Sequence, residues 1–398
     1  MRDVYLDHYA ANPILQDVLD VMLPFFSVDF GNPSSLHSRG DAAKQAVEEA
    51  REQVAALINA PAEGLLFTSS GTEANNLAIK GIASAAKRKG NHIVASNIEH
   101  FSVLNSIATL EKAGYTSTLV EVDEFGVVDP GAVAEAIRDD TVLVSVMAAN
   151  GEIGTIEPIR EIAEIARDRG VPFHTDAVAA GGIVPIDVEE LGIDAISLAS
   201  DQMYGPKGSG ALWVRKGVRL IPQMDGGVQE GGRRGGTENV PGIVGMGKAA
   251  ELAAAQLGER STKLVKLRDA LIDGLPKAAP YVTLTGHPTK RLPWNASFAV
   301  QFIEGEGMLL FLDSSGIAVS SGSACTSRAL KGSHVLAACG IPPEKAQGSL
   351  LFSFGLENVP EDVDYVLEVL PPIIDRLRKM SPLYDKFLKE GGGGNGDI

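Results

Sequence analysis

Four short segments of this sequence carry residue types that can do chemistry, and three of them sit where a strand-like run ends. Ser70-Gly71-Thr72-Glu73 follows the apolar run Leu65-Leu66-Phe67-Thr68 and leads into a helical pattern. Free N–H groups at a helix start, with the Thr72 hydroxyl, suit a phosphate; the same threonine can instead do no more than cap the helix. His100 follows the run His92–Ser96, and Asp176 ends the run Val171 to Asp176. A carboxylate after a buried strand either pairs with a cationic ligand nitrogen or caps a turn. The fourth segment is Ser320-Ser321-Gly322-Ser323-Ala324-Cys325-Thr326-Ser327. Its small residues and Gly322 permit a mobile backbone, so the Cys325 thiol is expected to reach a partner. Cys339 lies in the apolar helical stretch Leu336 to Gly340, where buried packing is expected.

The elements that must position these residues alternate. Ala43, Val47, Ala50, Val54 and Leu57 recur at helical spacing. Strand-like runs follow at Leu65–Thr68, His92–Ser96, Thr118–Val122, Thr141–Met147, Val171–Ala177, Asp194–Ser200 and Gly210–Arg215, with helical stretches between most of them. This pattern predicts an α/β fold, a mainly parallel sheet covered on both faces, with ligands beyond the carboxyl ends of its strands. Beyond residue 250 the texture changes. A long helix over 246–274, strands near Val282–Leu284, Ala296–Ile303 and Gly316–Ser320, and a helix over Pro360–Lys379 predict a smaller α+β domain. The expected organisation is a large domain over 15–250, a small one built from 1–14 and 251–385, and a disordered glycine-rich tail over 386–398.

Composition narrows the function. The 398 residues include 51 acidic and 35 basic side chains, for a net charge of −16. That balance argues against a nucleic-acid partner held by charge. No apolar run approaches the roughly 18 residues that span a bilayer, so no membrane partner is expected. The first residues lack an apolar signal segment, and two cysteines are too few for a disulfide framework; both features fit a reducing cytoplasm.

Taken together, FGNPSSLHS at 30–38, SSGTEANNLAI at 69–79, HTDAV at 174–178, YGPKGSGALWV at 204–214, GGTENVPGIVG at 235–245 and SSGSACTS at 320–327 closely resemble the cysteine desulfurases. These are class V aminotransferases that use pyridoxal phosphate (PLP), and the resemblance runs from Tyr5 to Leu383. It implies the PLP fold-type I homodimer, with a seven-stranded large domain and a smaller C-terminal one. It also implies transfer of sulfur from cysteine to a loop cysteine, on to iron–sulfur cluster assembly or tRNA thiolation. By the same resemblance, Thr72 is a phosphate contact, His100 stacks on the pyridine ring and Asp176 pairs with the pyridinium nitrogen. Asn150 lies near O3′, Thr237 contacts phosphate in the neighbouring subunit, and Cys325 receives sulfur.

The departures from the family pattern are equally specific. Active members carry Ser-x-His-Lys before Tyr-Gly-Pro-Lys-Gly; this chain has Ala199-Ser200-Asp201-Gln202. Gln202 therefore replaces the lysine that bonds PLP, and a carboxamide nitrogen is not nucleophilic. Asp201 replaces a phosphate-binding histidine, Ala199 a phosphate-binding serine and Ala179 a glutamine directed at O3′. Leu351 replaces the arginine that grips the substrate carboxylate, a clamp that an apolar side chain cannot supply. Gly151 replaces the second asparagine of Asn-Asn-Glu. Lys207 belongs to the family's own Tyr-Gly-Pro-Lys-Gly segment and is expected to be structural. The expectation is a desulfurase-like homodimer without PLP-dependent activity, with PLP either absent or bound without a covalent link. It would act through the Cys325 loop, with Cys325 as sulfur acceptor or as one ligand of an iron–sulfur cluster shared with a scaffold protein. The alternatives are an active desulfurase with atypical PLP binding, and a new activity in the remodelled pocket.

Overall fold

Buried β-branched and leucine-rich runs build the strands of this protein. Its computed structural model describes residues 2–321 and 332–390; Cys325 and the glycine run from Gly391 lie outside the described residues. In chain order the strands are β1 (Val4–Tyr5), β2 (Leu65–Thr68), β3 (His92–Ser96), β4 (Thr116–Val120), β5 (Thr141–Ser145), β6 (Phe173–Asp176), β7 (Ala195–Ala199) and β8 (Gly210–Val214). β9 (Val282–Leu284), β10 (Asn295–Val300), β11 (Ile317–Ala318) and β12 (Ser349–Ser353) follow. Seven of them form one sheet in the order β2-β8-β7-β6-β5-β3-β4. Within it β8 alone runs antiparallel to its neighbours.

Successive side chains of a strand point to opposite faces, and the core divides accordingly. Leu66, Ile93 and Ala95 pack with Leu77, Ile82, Val103 and Ile107 from the helices Gly71–Ala85 and Phe101–Lys112. Leu65, Phe67 and Val94 belong to the other face, with Val47 and Val54 of Ser38–Leu57 and Met246 and Ala250 of Val240–Ala278. Both faces are covered, which explains why the inner strands read as unbroken apolar runs. The smaller C-terminal domain has the antiparallel sheet β12-β10-β9, backed by the helices Gly305–Ser314 and Pro360–Arg378. β1 pairs with β11 in parallel.

Several element boundaries differ from the sequence reading, and three of the differences have a visible cause. The edge strand β4 starts and ends two residues before the expected Thr118–Val122, its alternation blurred by half-exposed threonines and serine. The long helix begins at Val240 rather than 246, because the Asn239 side chain accepts from Gly242 N and Pro241 sits in the first turn. The tail expected to be disordered from 386 is helical as far as Lys389. Phe387 holds it there, with ring centroids 4.6 Å from Phe302 and 5.4 Å from Tyr281.

Candidate functional site

A cavity of about 360 Å³ lies beyond the carboxyl ends of β2, β3, β5, β6 and β7. This is where an open parallel sheet is expected to bind a ligand. Ser70 to Thr72 follow β2, Ile98 to His100 follow β3, Asn150 to Glu152 follow β5, Asp176 ends β6, and Ala199, Asp201 and Gln202 come with β7. The smaller domain closes the cavity with Leu351 on β12, Ser320, Ser321 and Ser333 to Val335.

The geometry brings together four of the five cofactor-contact residues named from the sequence. Asp176 is buried; its Oδ2 accepts from Asn75 Nδ2 at 2.6 Å and its Oδ1 from Val178 N at 2.9 Å. Burial raises its pKa, opposed by those hydrogen bonds and by His100. His100 caps the helix Phe101–Lys112, accepting from Ser102 N, and its Nδ1 lies 2.7 Å from the Ser102 hydroxyl. Thr72 is not the cap of its helix: Ser70 is, accepting from Glu73 N at 3.1 Å, so the Thr72 hydroxyl stands clear of that task on the cavity wall. Asn150 turns inward, its Oδ1 accepting from Glu152 N and Ile153 N while its Nδ2 donates to the Ile98 carbonyl. Thr237 is exposed and does not line its own chain's cavity. Its loop is held against the start of Gly71–Ala85 by Arg234, which meets Glu73 at 2.8 Å.

Sequence reasoning missed two carboxyl groups on the same wall. Glu99 is fully buried; Oε1 accepts from the Ser96 hydroxyl and from Met147 N, while Oε2 has no partner. Burial pushes its pKa up to about 8, and that of Glu152 to about 7. The Oε1 of Glu152 is also without a partner. Position beside His100 was the only signal for Glu99, and burial is not visible in a sequence.

The raised pKa has a testable consequence. Unfolded Glu99 loses its proton near pH 4.5 and the folded residue near pH 8, so the fold binds more protons across that window. Its contribution to stability is present below the lower value and is lost as pH rises through the higher one. Glu99→Gln keeps the shape without the titration. Its urea midpoint, measured against the unaltered protein, should improve steadily from pH 5 to pH 8; a gap independent of pH would refute the assignment.

The positions that depart from the family pattern are packed rather than eroded. Gln202 Nε2 donates to the Tyr9 carbonyl at 3.0 Å, and Tyr9 stacks on Trp294 with centroids 5.3 Å apart and planes 19° from parallel. A Cβ at Gly151 would run into the Tyr9 ring. Glycine at 151 is therefore what allows the ring to sit beside Gln202. Gly151→Asn should cost about 1–3 kcal/mol, the usual penalty for overpacking. Combining it with Tyr9→Ala should recover most of that loss in a double-mutant cycle; additive losses would show that the two sites are uncoupled. Lys207 is structural in its contacts: Nζ donates to the Asn12 carbonyl at 2.9 Å, away from the cavity lining. Among the described residues, no lysine or arginine lines the cavity. Cys339 is buried as expected, its thiol pushed up to about 12 by burial and by nearby Glu152.

Comparison with known proteins agrees with this architecture. The sequence profile of the class-V aminotransferases matches residues 4–366. A cysteine desulfurase IscS of Methanosarcina thermophila is 52% identical over 385 residues, covering 97% of this chain and 95% of that protein. The chain belongs to the cysteine desulfurase family of class-V aminotransferases. Cysteine desulfurase IscS 1 of Archaeoglobus fulgidus is 50% identical over 380 residues, covering 96% of this chain and 99% of that protein. A solved structure of a NifS-like protein superposes with a TM-score of 0.89 at 35% identity, covering 94% of this chain and all of that one. The PLP fold-type I architecture expected from the sequence is the observed one.

Members of this family use PLP, and the residues present fit only part of it. A buried carboxyl at Asp176, an imidazole at His100 and the helix start at Thr72 suit a protonated pyridine ring and a phosphate. The rest do not: Gln202 offers no amine, Ala199 no hydroxyl, and Asp201 brings a carboxylate to the cavity wall. Among the described residues of this wall there is no lysine.

Proposed function

We propose that this protein handles sulfur for iron–sulfur cluster assembly in the manner of cysteine desulfurases. The observation that carries this reading is near-full-length identity of 45–52% to proteins named cysteine desulfurase IscS. At the finer level those names support a working desulfurase, taking sulfur from L-cysteine with PLP held non-covalently, better than they support the lapsed enzyme expected from the sequence. The cavity supports the other side, because neither the lysine nor the arginine clamp is there. Under both readings Cys325 is the sulfur acceptor, with a cluster-ligand role and a scaffold partner as the variant that needs no PLP. We also propose a homodimer in a reducing cytoplasm. Its supports are the exposed apolar side chains Phe26, Val28, Phe30 and Leu36 on one segment, which a second copy would cover. A monomer in light scattering would contradict that.

The deciding experiment measures sulfide and alanine released from L-cysteine with and without added PLP, beside persulfide labelling of Cys325. Turnover that needs PLP and disappears in Cys325→Ala establishes the working enzyme. Labelling by a polysulfide, whose zero-valent sulfur passes to the attacking thiolate as the shortened polysulfide leaves, without turnover and also lost in Cys325→Ala, establishes the acceptor alone. If Cys325→Ala changes neither, sulfur handling through this loop is wrong.

A further inference from the structure

Asp176 and His100, which meet the cavity from different strands, lead back to one buried amide. Asn75 lies on the helix Gly71–Ala85, only 1% exposed, where that helix packs against Phe101–Lys112. Its Nδ2 donates to Asp176 Oδ2 at 2.6 Å and to the Ser102 hydroxyl at 2.8 Å. Both amide hydrogens are therefore spent, while Asn75 Oδ1 is buried without a partner. A bare buried acceptor calls for an explanation. Here it is orientation: turned over, the amide would set its oxygen against the Asp176 carboxylate, acceptor against acceptor.

The direction of these bonds carries on to His100. Ser102 Oγ accepts from Asn75, so its single hydrogen is free to turn to His100 Nδ1, 2.7 Å away. The Ser102 backbone N–H is aimed at the same nitrogen at 3.1 Å. With two donors facing it, Nδ1 carries no hydrogen, and the proton of the neutral ring sits on Nε2. Nε2 has no hydrogen-bond partner among the described residues, and His100 lines the cavity. At the other end, Asp176 receives N–H groups on both oxygens, from Asn75 and from Val178, the pattern of an ionised carboxylate. One chain of hydrogen bonds, from imidazole through hydroxyl and amide to carboxylate, thus runs in a single sense along the cavity wall.

We propose that Asn75 is a positioning residue: it passes the negative charge of Asp176 through Ser102 to His100 and holds the imidazole of the cavity wall as an Nε2–H donor. The sense of the chain also sets which ligands suit its two ends. A molecule that touches both must offer a hydrogen to Asp176 and an acceptor atom to His100. The inference concerns the resting protein, so it goes beyond the sulfur-handling role and stands or falls apart from it.

The test reads which His100 nitrogen carries hydrogen, by nitrogen NMR of the full-length protein labelled at its 7 histidines. His100 is assigned from the signals lost in His100→Gln. The measurement is made at about pH 8, above the ordinary range of imidazole titration. The unaltered protein should show Nδ1 bare and Nε2 protonated; a protonated Nδ1 would overturn the proposal. The decisive variant exchanges the two ends, Asn75→Asp with Asp176→Asn. It keeps the volumes and the hydrogen bond between them, so a purely structural role leaves His100 unchanged. The relay demands a reversal. A carboxylate at position 75 only accepts, the Ser102 hydroxyl turns to it, and His100 Nδ1 gains a hydrogen. An Nδ1 still bare in the exchanged protein would sink the idea. Adding Ser102→Ala to the exchanged pair should return Nδ1 to its bare state, because no oxygen is left to pass the direction on. A protonated Nδ1 there would mean that the charge acts through space, which also overturns the relay. If the exchanged protein does not fold by circular dichroism, Asn75→Leu decides. It leaves Ser102 Oγ without its donor and free to accept from His100, so a share of the rings should carry hydrogen on Nδ1; no such share refutes the proposal. Persulfide labelling of Cys325 is read separately, and its loss would remove the sulfur role while leaving the relay untouched.

Discussion

Borohydride reduction after incubation with PLP should leave no pyridoxyl-bearing peptide from this protein in a mass spectrum. The cavity has no lysine among its described lining residues, and the nearest candidate in sequence, Lys207, is spent on the Asn12 carbonyl at 2.9 Å. Gln202, at the place of the family's lysine, cannot substitute: an amide nitrogen shares its lone pair with the carbonyl and is no nucleophile. Its nitrogen is also committed to the Tyr9 carbonyl. Gln202→Lys should gain a reducible adduct only in part, because Asp201 and Ala199 remain where phosphate would lie. Turnover should stay low even then. Without an arginine at 351, a buried charge-assisted contact to the substrate carboxylate is missing. Such losses cost about 2–5 kcal/mol, or roughly thirty- to several-thousand-fold in rate. A pyridoxyl adduct on Lys207 in the unaltered protein would sink this reading and revive the working enzyme in an unexpected form.

Some of this site was legible in the sequence because it depends on order along one segment. Strand ends could be read from apolar runs, so Thr72, His100 and Asp176 were expected at the carboxyl edge of a parallel sheet, where the cavity lies, while Asn150 came only with the family resemblance. The replacement at 202 was equally legible, since Tyr204-Gly205-Pro206-Lys207-Gly208 fixes the register beside it. What stayed hidden arises between segments. Glu99 reads as one more acidic residue until the fold buries it against Met147. Tyr9 and Gly151 are far apart in the chain, and only packing shows that each needs the other. The alternative role of Thr72 as helix cap falls away because Ser70, which satisfies the same local rule, caps Gly71–Ala85. The helical start of the tail escaped for a related reason. Residues 386–389 adjoin the glycine run and were grouped with it, whereas their order comes from Phe387 meeting Phe302 and Tyr281.

Replacing one arginine far from the reacting atoms should unfold much of this arrangement. Arg291 is buried and donates to the carbonyls of Ile153, Thr285, His287 and Asn295 and to Asn295 Oδ1. Burial and neighbouring Arg268 lower its pKa to about 9, so it still carries its charge at pH 7. No carboxylate pairs with it among the described ion pairs; carbonyl dipoles offset the desolvation instead. Asn295, fixed by Arg291, passes its own Nδ2 to the carbonyls of Gly151 and Glu152 at 2.8 and 3.2 Å. The turn that carries Gly151 and Glu152 into the cavity therefore hangs on this guanidinium. Arg291→Ala leaves several buried carbonyls without donors, at about 1–3 kcal/mol for each that water cannot reach. A loss of about 3–5 kcal/mol is expected, comparable with breaking a buried ion pair. That is a large fraction of the roughly 5–15 kcal/mol that holds a domain folded. Arg291→Lys keeps the charge but only three donors on one nitrogen, which cannot span acceptors placed for a planar fork. It should fall between the two in urea unfolding. A drop below about 1 kcal/mol in Arg291→Ala, within the range of ordinary surface substitutions, would show that water takes over the carbonyls and that the turn holds itself.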